Sequence, residues 1–191
     1  MDPENWRYEQ RNEMQEVYPG LFVGPYLAAK NLPELKRNGI THIVCIRDGQ
    51  ELYMKPFYPN EFQYEIVQLS NSSFENLIPH LGKLNQLMYQ TLNSGGRILV
   101  HCTGGISRAP AIIIGYLMEC CGMSFDNAYN RIQEIRFCIN PLEIFKVQLK
   151  EYEPILLAKS TIGGQDNHTT KRTMDDESSS NNPFVHKDFI Q

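Results

Sequence analysis

The segment from Arg97 to Pro110, reading Arg-Ile-Leu-Val-His-Cys-Thr-Gly-Gly-Ile-Ser-Arg-Ala-Pro, holds the residues best equipped for chemistry. A short apolar run leads into His101-Cys102. Five residues with glycines at 104 and 105 follow, and Arg108 then opens a long apolar stretch. Glycines let the backbone turn so that the N–H groups of Thr103, Gly104, Gly105, Ile106 and Ser107 converge on one concavity. The helix N-terminus beyond them adds about half a positive charge. Such a loop holds an oxyanion without a metal. Cys102 at its rim is the expected nucleophile, its thiolate stabilised by the same N–H groups. Arg108, with a planar fork of donors, is expected to grip two phosphoryl oxygens and to stabilise charge in an in-line transition state. The reaction this implies is attack on a phosphomonoester to give a phosphocysteine, then attack by water.

Cysteine and arginine at this spacing arise easily by chance in a chain with five cysteines. The context carries the reading: a strand before, two glycines, an adjacent histidine and a helix after. A Walker-type loop is excluded because no Gly-Lys-Ser or Gly-Lys-Thr follows the glycines. His101 is expected to be hydrogen-bonded beneath the loop and not to act as a base.

To place this loop the chain needs strands and helices in alternation. Leu21 to Val23, Ile43 to Ile46, Ile66 to Leu69 and Ile98 to Val100 are short apolar runs bounded by Gly, Asn, Ser or charges, and predict buried strands. Helices are predicted over Ala28 to Asn38, closed by Gly39, and over Phe74 to Leu92. Three more follow the fourth strand: Ala109 to Cys121 with Gly122 beyond its end, Phe125 to Glu134 capped by Ser124, and Leu142 to Ala158 opened by Asn140-Pro141. The pattern predicts an α/β single-domain sandwich, with a mainly parallel central sheet of about four or five strands flanked by about five or six helices.

The domain is expected to span 15–159, with a flexible N-terminus over 1–14 and a disordered tail over 160–191. The tail carries Asp175-Asp176-Glu177 and the run Ser178-Ser179-Ser180, too little apolar surface to offset its ordering entropy. Phe184, Val185, Phe189 and Ile190 form a short apolar anchor within it.

A net charge of -4, from 18 Lys plus Arg against 22 Asp plus Glu, gives no basic excess for nucleic acid or an anionic membrane. The cysteines (Cys45, Cys102, Cys120, Cys121, Cys138) match no paired zinc framework, and reduced thiols predict a cytosolic or nuclear protein. No run approaches a membrane span. Cys120-Cys121 are read as packing residues in an apolar helix, and neither a metal nor an organic cofactor is expected.

His101-Cys102-x-x-Gly105-x-x-Arg108 resembles the signature of the cysteine-dependent protein phosphatases. The rest of the chain, over roughly 13–159, is similar to their small dual-specificity branch. The entry Glu16 to Tyr26 and the segment Gly39 to Arg47 share in that resemblance. The run Arg136-Phe137-Cys138-Ile139-Asn140-Pro141 is what points, within the branch, to the STYX-like group. The absence of a long insertion before the sheet implies a shallow, dual-specificity pocket.

Two departures stand against the family pattern. Where active members have an Asp that protonates the leaving alcohol, the matching position is Asn71. An amide cannot donate and recover that proton, a loss typically worth about 10² to 10⁴ in rate. Glu75 is the residue that could substitute, although a carboxylate there also suits a helix start. Ala109 stands where the family has a Ser or Thr that helps the thiolate leave in the second step. The resemblance thus implies a slow phosphatase acting on phosphotyrosine, and on phosphoserine or phosphothreonine. The alternative is a pseudophosphatase adaptor that binds phosphorylated proteins or peptides, or signalling partners such as MAP kinases, without turnover. The pseudophosphatase group lacks a loop nucleophile; Cys102 is present here.

Overall fold

The computed structural model describes residues 6–163. Its strands are β1 (Gln15–Tyr18), β2 (Leu21–Pro25), β3 (His42–Arg47), β4 (Gln63–Gln68) and β5 (Ile98–Cys102). They form one sheet in the order β1-β2-β5-β3-β4, with β1 antiparallel to β2 and every other pairing parallel. Five α-helices accompany them among the described residues: α1 (Leu32–Arg37), α2 (Ile78–Asn93), α3 (Arg108–Cys121), α4 (Phe125–Ile135) and α5 (Glu143–Gly163). This is the expected α/β architecture.

The three inner strands read as continuous apolar runs because both of their faces are covered. Leu21, Val23, Val44, Ile46, Ile98, Val100 and Cys102 join one cluster with residues of α2 to α5. Phe22, Ile43 and Leu99, pointing the other way, pack with Leu35 of α1 and with Met14 and Phe62. The strand period of two thereby puts Cys102 on the side of α3. That helix is buried along its length except at Glu119 and Cys121, and it ends at Gly122, whose φ of 66° makes a left-handed cap. Burying each Ile or Leu of such a helix stabilises the fold by about 1.5 to 3 kcal/mol. At Gly115 an added Cβ would stand 2.6 Å from Leu81, so α2 and α3 touch because that residue has no side chain.

The differences from the expected elements have local causes. β1 went unpredicted because Val17 is its one buried residue; it is a polar edge strand. β4, the opposite edge, begins three residues before the expected apolar run and leaves Ile66 37% exposed. The expected helix from Ala28 splits, since Asn31 caps α1 by accepting from the Glu34 N–H at 3.3 Å. Before it lies a short 3-10 turn, Ala28–Lys30. α2 starts at Ile78 and not at Phe74, with Pro79 in its first turn. α5 continues past Ala158 through Gly163, with Pro154 inside it. Toward the N-terminus, Tyr8–Asn12 form a 3-10 helix and Met14 is buried. The expected tail anchor at Phe184 to Ile190 lies outside the described residues. Among those described, no helix is long and apolar enough to cross a membrane.

Candidate active site

β5 delivers Cys102 to the C-terminal edge of the sheet, and Thr103 to Ser107 loop over to the N-terminus of α3. The loop's carbonyls are held from behind. Thr103 O accepts from the Tyr26 N–H at 3.1 Å, and Ile106 O accepts from the Asn140 N–H at 2.8 Å. Gly104 O and Gly105 O accept from the Arg136 guanidinium at 3.1 and 2.9 Å. A trans peptide points its N–H opposite to its C=O. Four carbonyls drawn outward therefore turn the N–H groups of Gly104, Gly105, Ile106 and Ser107 toward the inside of the loop. Gly105, at φ +62°, is the glycine the turn demands: a Cβ there would also lie 2.5 Å from the Gly24 carbonyl. Gly104 carries no positive φ, so its part is the lesser one.

Cys102 is buried, with 3% exposure, at the base of this cradle. His101 beside it is also buried; burial pushes its pKa down to about 4, against a weaker hydrogen bond with the Cys102 backbone. The ring is therefore neutral at pH 7; it is hydrogen-bonded to the Cys102 backbone beneath the loop, while its Nδ1 has no hydrogen-bond partner.

Arg108 projects from the first turn of α3 and meets Glu51. Nη1 lies 2.6 Å from Oε2 and Nη2 2.9 Å from Oε1, a two-point ion pair. Nη1 also donates to Leu69 O at 3.2 Å and Nη2 to Thr103 Oγ1 at 3.0 Å. Thr103 Oγ1 in turn donates to Glu51. The bonds from Arg108 and Thr103 hold the Glu51 carboxyl at about 2, against the opposing effect of partial burial. Burial, the largest single influence, works against the Arg108 charge, but the Glu51 bond together with the attraction of Cys102, Glu51 and Asp48 outweighs it and the guanidinium value is raised. An oxyanion entering the loop must share Arg108 with this carboxylate or displace it.

The opposite wall belongs to the turn after β4. Asn71 is exposed, and its Oδ1 accepts from Ser107 Oγ at 2.8 Å, which places it at the loop. Glu75 is turned back on its own segment: it accepts from the Ser70 N–H at 2.9 Å and the Asn76 N–H at 3.0 Å. The Ser70 bond leads in holding its carboxyl below the ordinary carboxylate value, so at pH 7 it has no proton to give. Ala109 is fully buried in the first turn of α3. The nearby hydroxyl of Ser107 is engaged with Asn71 and with the Leu142 N–H at 3.1 Å. Among the described residues no group of three or more His, Cys, Asp or Glu is gathered to hold a metal ion.

The sequence residues Asn71, His101, Cys102, Thr103, Gly104, Gly105, Ile106, Ser107, Arg108 and Ala109 thus meet at one edge of the sheet. Sequence reading missed Glu51, 57 positions from Arg108, since nothing in its local pattern sets it apart from a solvated turn acid. Arg136 was noticed only as part of a resembling run. Its signal was a basic residue beside Phe137 and Ile139, and such a residue usually reads as surface.

The cradle, the arginine opening a buried helix and the sheet order describe one class, and the chain belongs to it: the dual specificity phosphatase catalytic domain matches residues 21–155. Within that family it is similar to the serine/threonine/tyrosine-interacting protein of Mus musculus, at 46% identity over 164 residues that cover 84% of this chain and 74% of the mouse protein. The crystal structure of the human tyrosine phosphatase-like serine/threonine/tyrosine-interacting protein superposes with a TM-score of 0.74 at 44% identity, covering 76% of this chain and 99% of the human one. Dual specificity protein phosphatase 1B of Arabidopsis thaliana is 31% identical over 145 residues, 76% of this chain and 84% of the plant protein.

Proposed function

We propose that this chain is a slow protein phosphatase acting through a Cys102 phosphocysteine on phosphotyrosine, and on phosphoserine or phosphothreonine, in phosphorylated proteins. The observation supporting this is the loop itself, with four carbonyls tied outward over a cysteine and an arginine at the helix start. The Cys102 thiolate attacks phosphorus while the inward N–H groups and Arg108 take the charge of the equatorial oxygens. The bond to the leaving oxygen breaks without a proton from the protein, because Asn71 carries none and Glu75 is ionised. Water then attacks the phosphocysteine, and the thiolate leaves without help from a hydroxyl at 109. Both steps proceed, and both are handicapped.

Asn71 and Ala109 favour a second reading, an adaptor that holds phosphorylated signalling proteins, MAP kinases among them, in the same cradle without turnover. Hydrolysis of an aryl phosphate by wild type and Cys102→Ser, side by side, separates the two. Slow hydrolysis abolished by Cys102→Ser is the expected result. Equal rates in both would overturn the phosphocysteine route. No hydrolysis by either, with phosphopeptide binding that Arg108→Ala removes, would establish the adaptor.

A further inference from the structure

Arg136 takes no part in the chemistry above, yet it is the largest of the side chains fully shielded from solvent. Burying an unpaired guanidinium costs several kcal/mol, and among the described residues it forms no ion pair with any carboxylate. Instead every one of its five N–H donors finds an oxygen. Nε donates to Gly105 O at 2.9 Å, and Nη2 to Gly104 O at 3.1 Å and Arg11 O at 2.9 Å. Nη1 donates to Glu13 O at 3.0 Å and to the Gln15 side chain. Two of these partners belong to the phosphate loop, and three to the chain entering β1. A planar fork is needed to reach both at once, since the three donors of a lysine ammonium radiate from one atom.

We propose that Arg136 is the positioning residue of the phosphate loop, clamping the Gly104 and Gly105 carbonyls to residues 11–15 so that the Gly105 and Ile106 N–H groups face the oxyanion. The clamp leaves a positive charge behind the cradle with no carboxylate to cancel it. The chain leading into β1 is then part of the anion site without touching the anion. This rests on the cradle reading of the loop, but not on whether the loop turns substrate over.

The test compares full-length wild type with Arg136→Lys and Gln15→Leu, and uses Arg136→Ala and an Arg108→Ala background as controls. It measures amide hydrogen exchange at Gly104 to Ser107 and the dissociation constant for inorganic tungstate. Arg136→Lys is expected to speed loop exchange about tenfold, to weaken tungstate at least tenfold, and to leave exchange in β3 unchanged. Guanidinium ion added to Arg136→Ala is expected to recover part of the tungstate affinity, which a purely structural role would not allow. Gln15→Leu, which removes one acceptor at the start of the edge strand β1, is expected to speed loop exchange about threefold. Folded Arg136→Lys with wild-type loop exchange overturns the clamp. If Arg136→Lys does not fold, wild-type loop exchange in Gln15→Leu overturns it instead. Tungstate binding absent from wild type refutes the cradle reading, while the exchange measurement still decides the clamp. Arg108→Ala combined with Glu51→Gln should lose tungstate while exchange at Gly105 and Ile106 stays as in wild type, which separates the two roles.

Discussion

The back and the front of the phosphate loop are built to different standards. Behind it, Tyr26, Arg136 and Asn140 satisfy four consecutive carbonyls, and Gly105 packs so closely on Gly24 that no side chain fits. In front, the side chain that the turn after β4 bonds to the loop is the neutral amide of Asn71, and the nearest carboxylate on that turn, Glu75, is bonded to its own backbone. Binding an oxyanion needs the back; expelling an alcohol needs the front. The difference shows that a fold can keep the first capacity in full while the second is weakened by single side chains.

Removing the charge from the back-supported side breaks the comparison most severely. Arg108→Ala is expected to lower phosphomonoester turnover by about 10³ to 10⁵, the usual value of an arginine that stabilises phosphoryl transfer. Because it leaves Glu51 as a partly buried charge without its partner, the double variant Arg108→Ala with Glu51→Gln is the control, and it should regain stability without activity. Steady-state kinetics alongside thermal denaturation read both effects, and activity restored in the double would mean that Glu51 alone was the obstacle.

Repairing the front sharpens the comparison from the other side. Asn71→Asp restores a proton donor and is expected to accelerate phosphocysteine formation, by up to the 10² to 10⁴ that general acids supply. Ala109→Ser should act on the second step, visible as loss of a pre-steady-state burst. Each alone can leave the slow step in place, so the pair is expected to exceed the sum of the single changes. An accessible Cys102 with no gain from either change or both would move the conclusion to the adaptor.

The smallest expected effect concerns what lies beneath the loop. His101 is neutral down to about 4 in the fold but ordinarily titrates at 6.5. Below 6.5 the unfolded chain takes up a proton that the folded chain refuses, so stability falls as pH drops from 6.5 toward 4 and is flat above that window on this account. The loss is about 3 kcal/mol. Denaturant melts across that range, in wild type and His101→Leu, should show the slope vanish in the variant. A slope unchanged by His101→Leu assigns it to other groups.

Much of this was legible in the sequence wherever local pattern and tertiary role coincide. The inner strands read as apolar runs because they are buried on both faces, and the loop announced itself through glycines between a strand and a helix. Ser124 and Gly122 marked the ends of α4 and α3 through capping chemistry that needs no tertiary partner. Illegible were the features made by folding alone. β1 has one buried residue to signal it, and α2 begins late because the turn holding Glu75 wins over helix pattern. Glu51 and Arg136 reach the site across 57 and 31 positions, through contacts no local window contains.

The central claim, a cradle that binds and attacks phosphate without a proton donor for the leaving group, is tested most directly by leaving-group dependence. Single-turnover rates of phosphocysteine formation would be measured for a series of aryl and alkyl phosphates whose alcohols span a wide range of acidity, in wild type and in Asn71→Asp. The account predicts a steep fall in wild type as the alcohol becomes less acidic, and a much shallower one in Asn71→Asp, where the new acid protonates the departing oxygen. A shallow dependence already present in wild type, unchanged by Asn71→Asp, would reveal a working general acid and contradict the account.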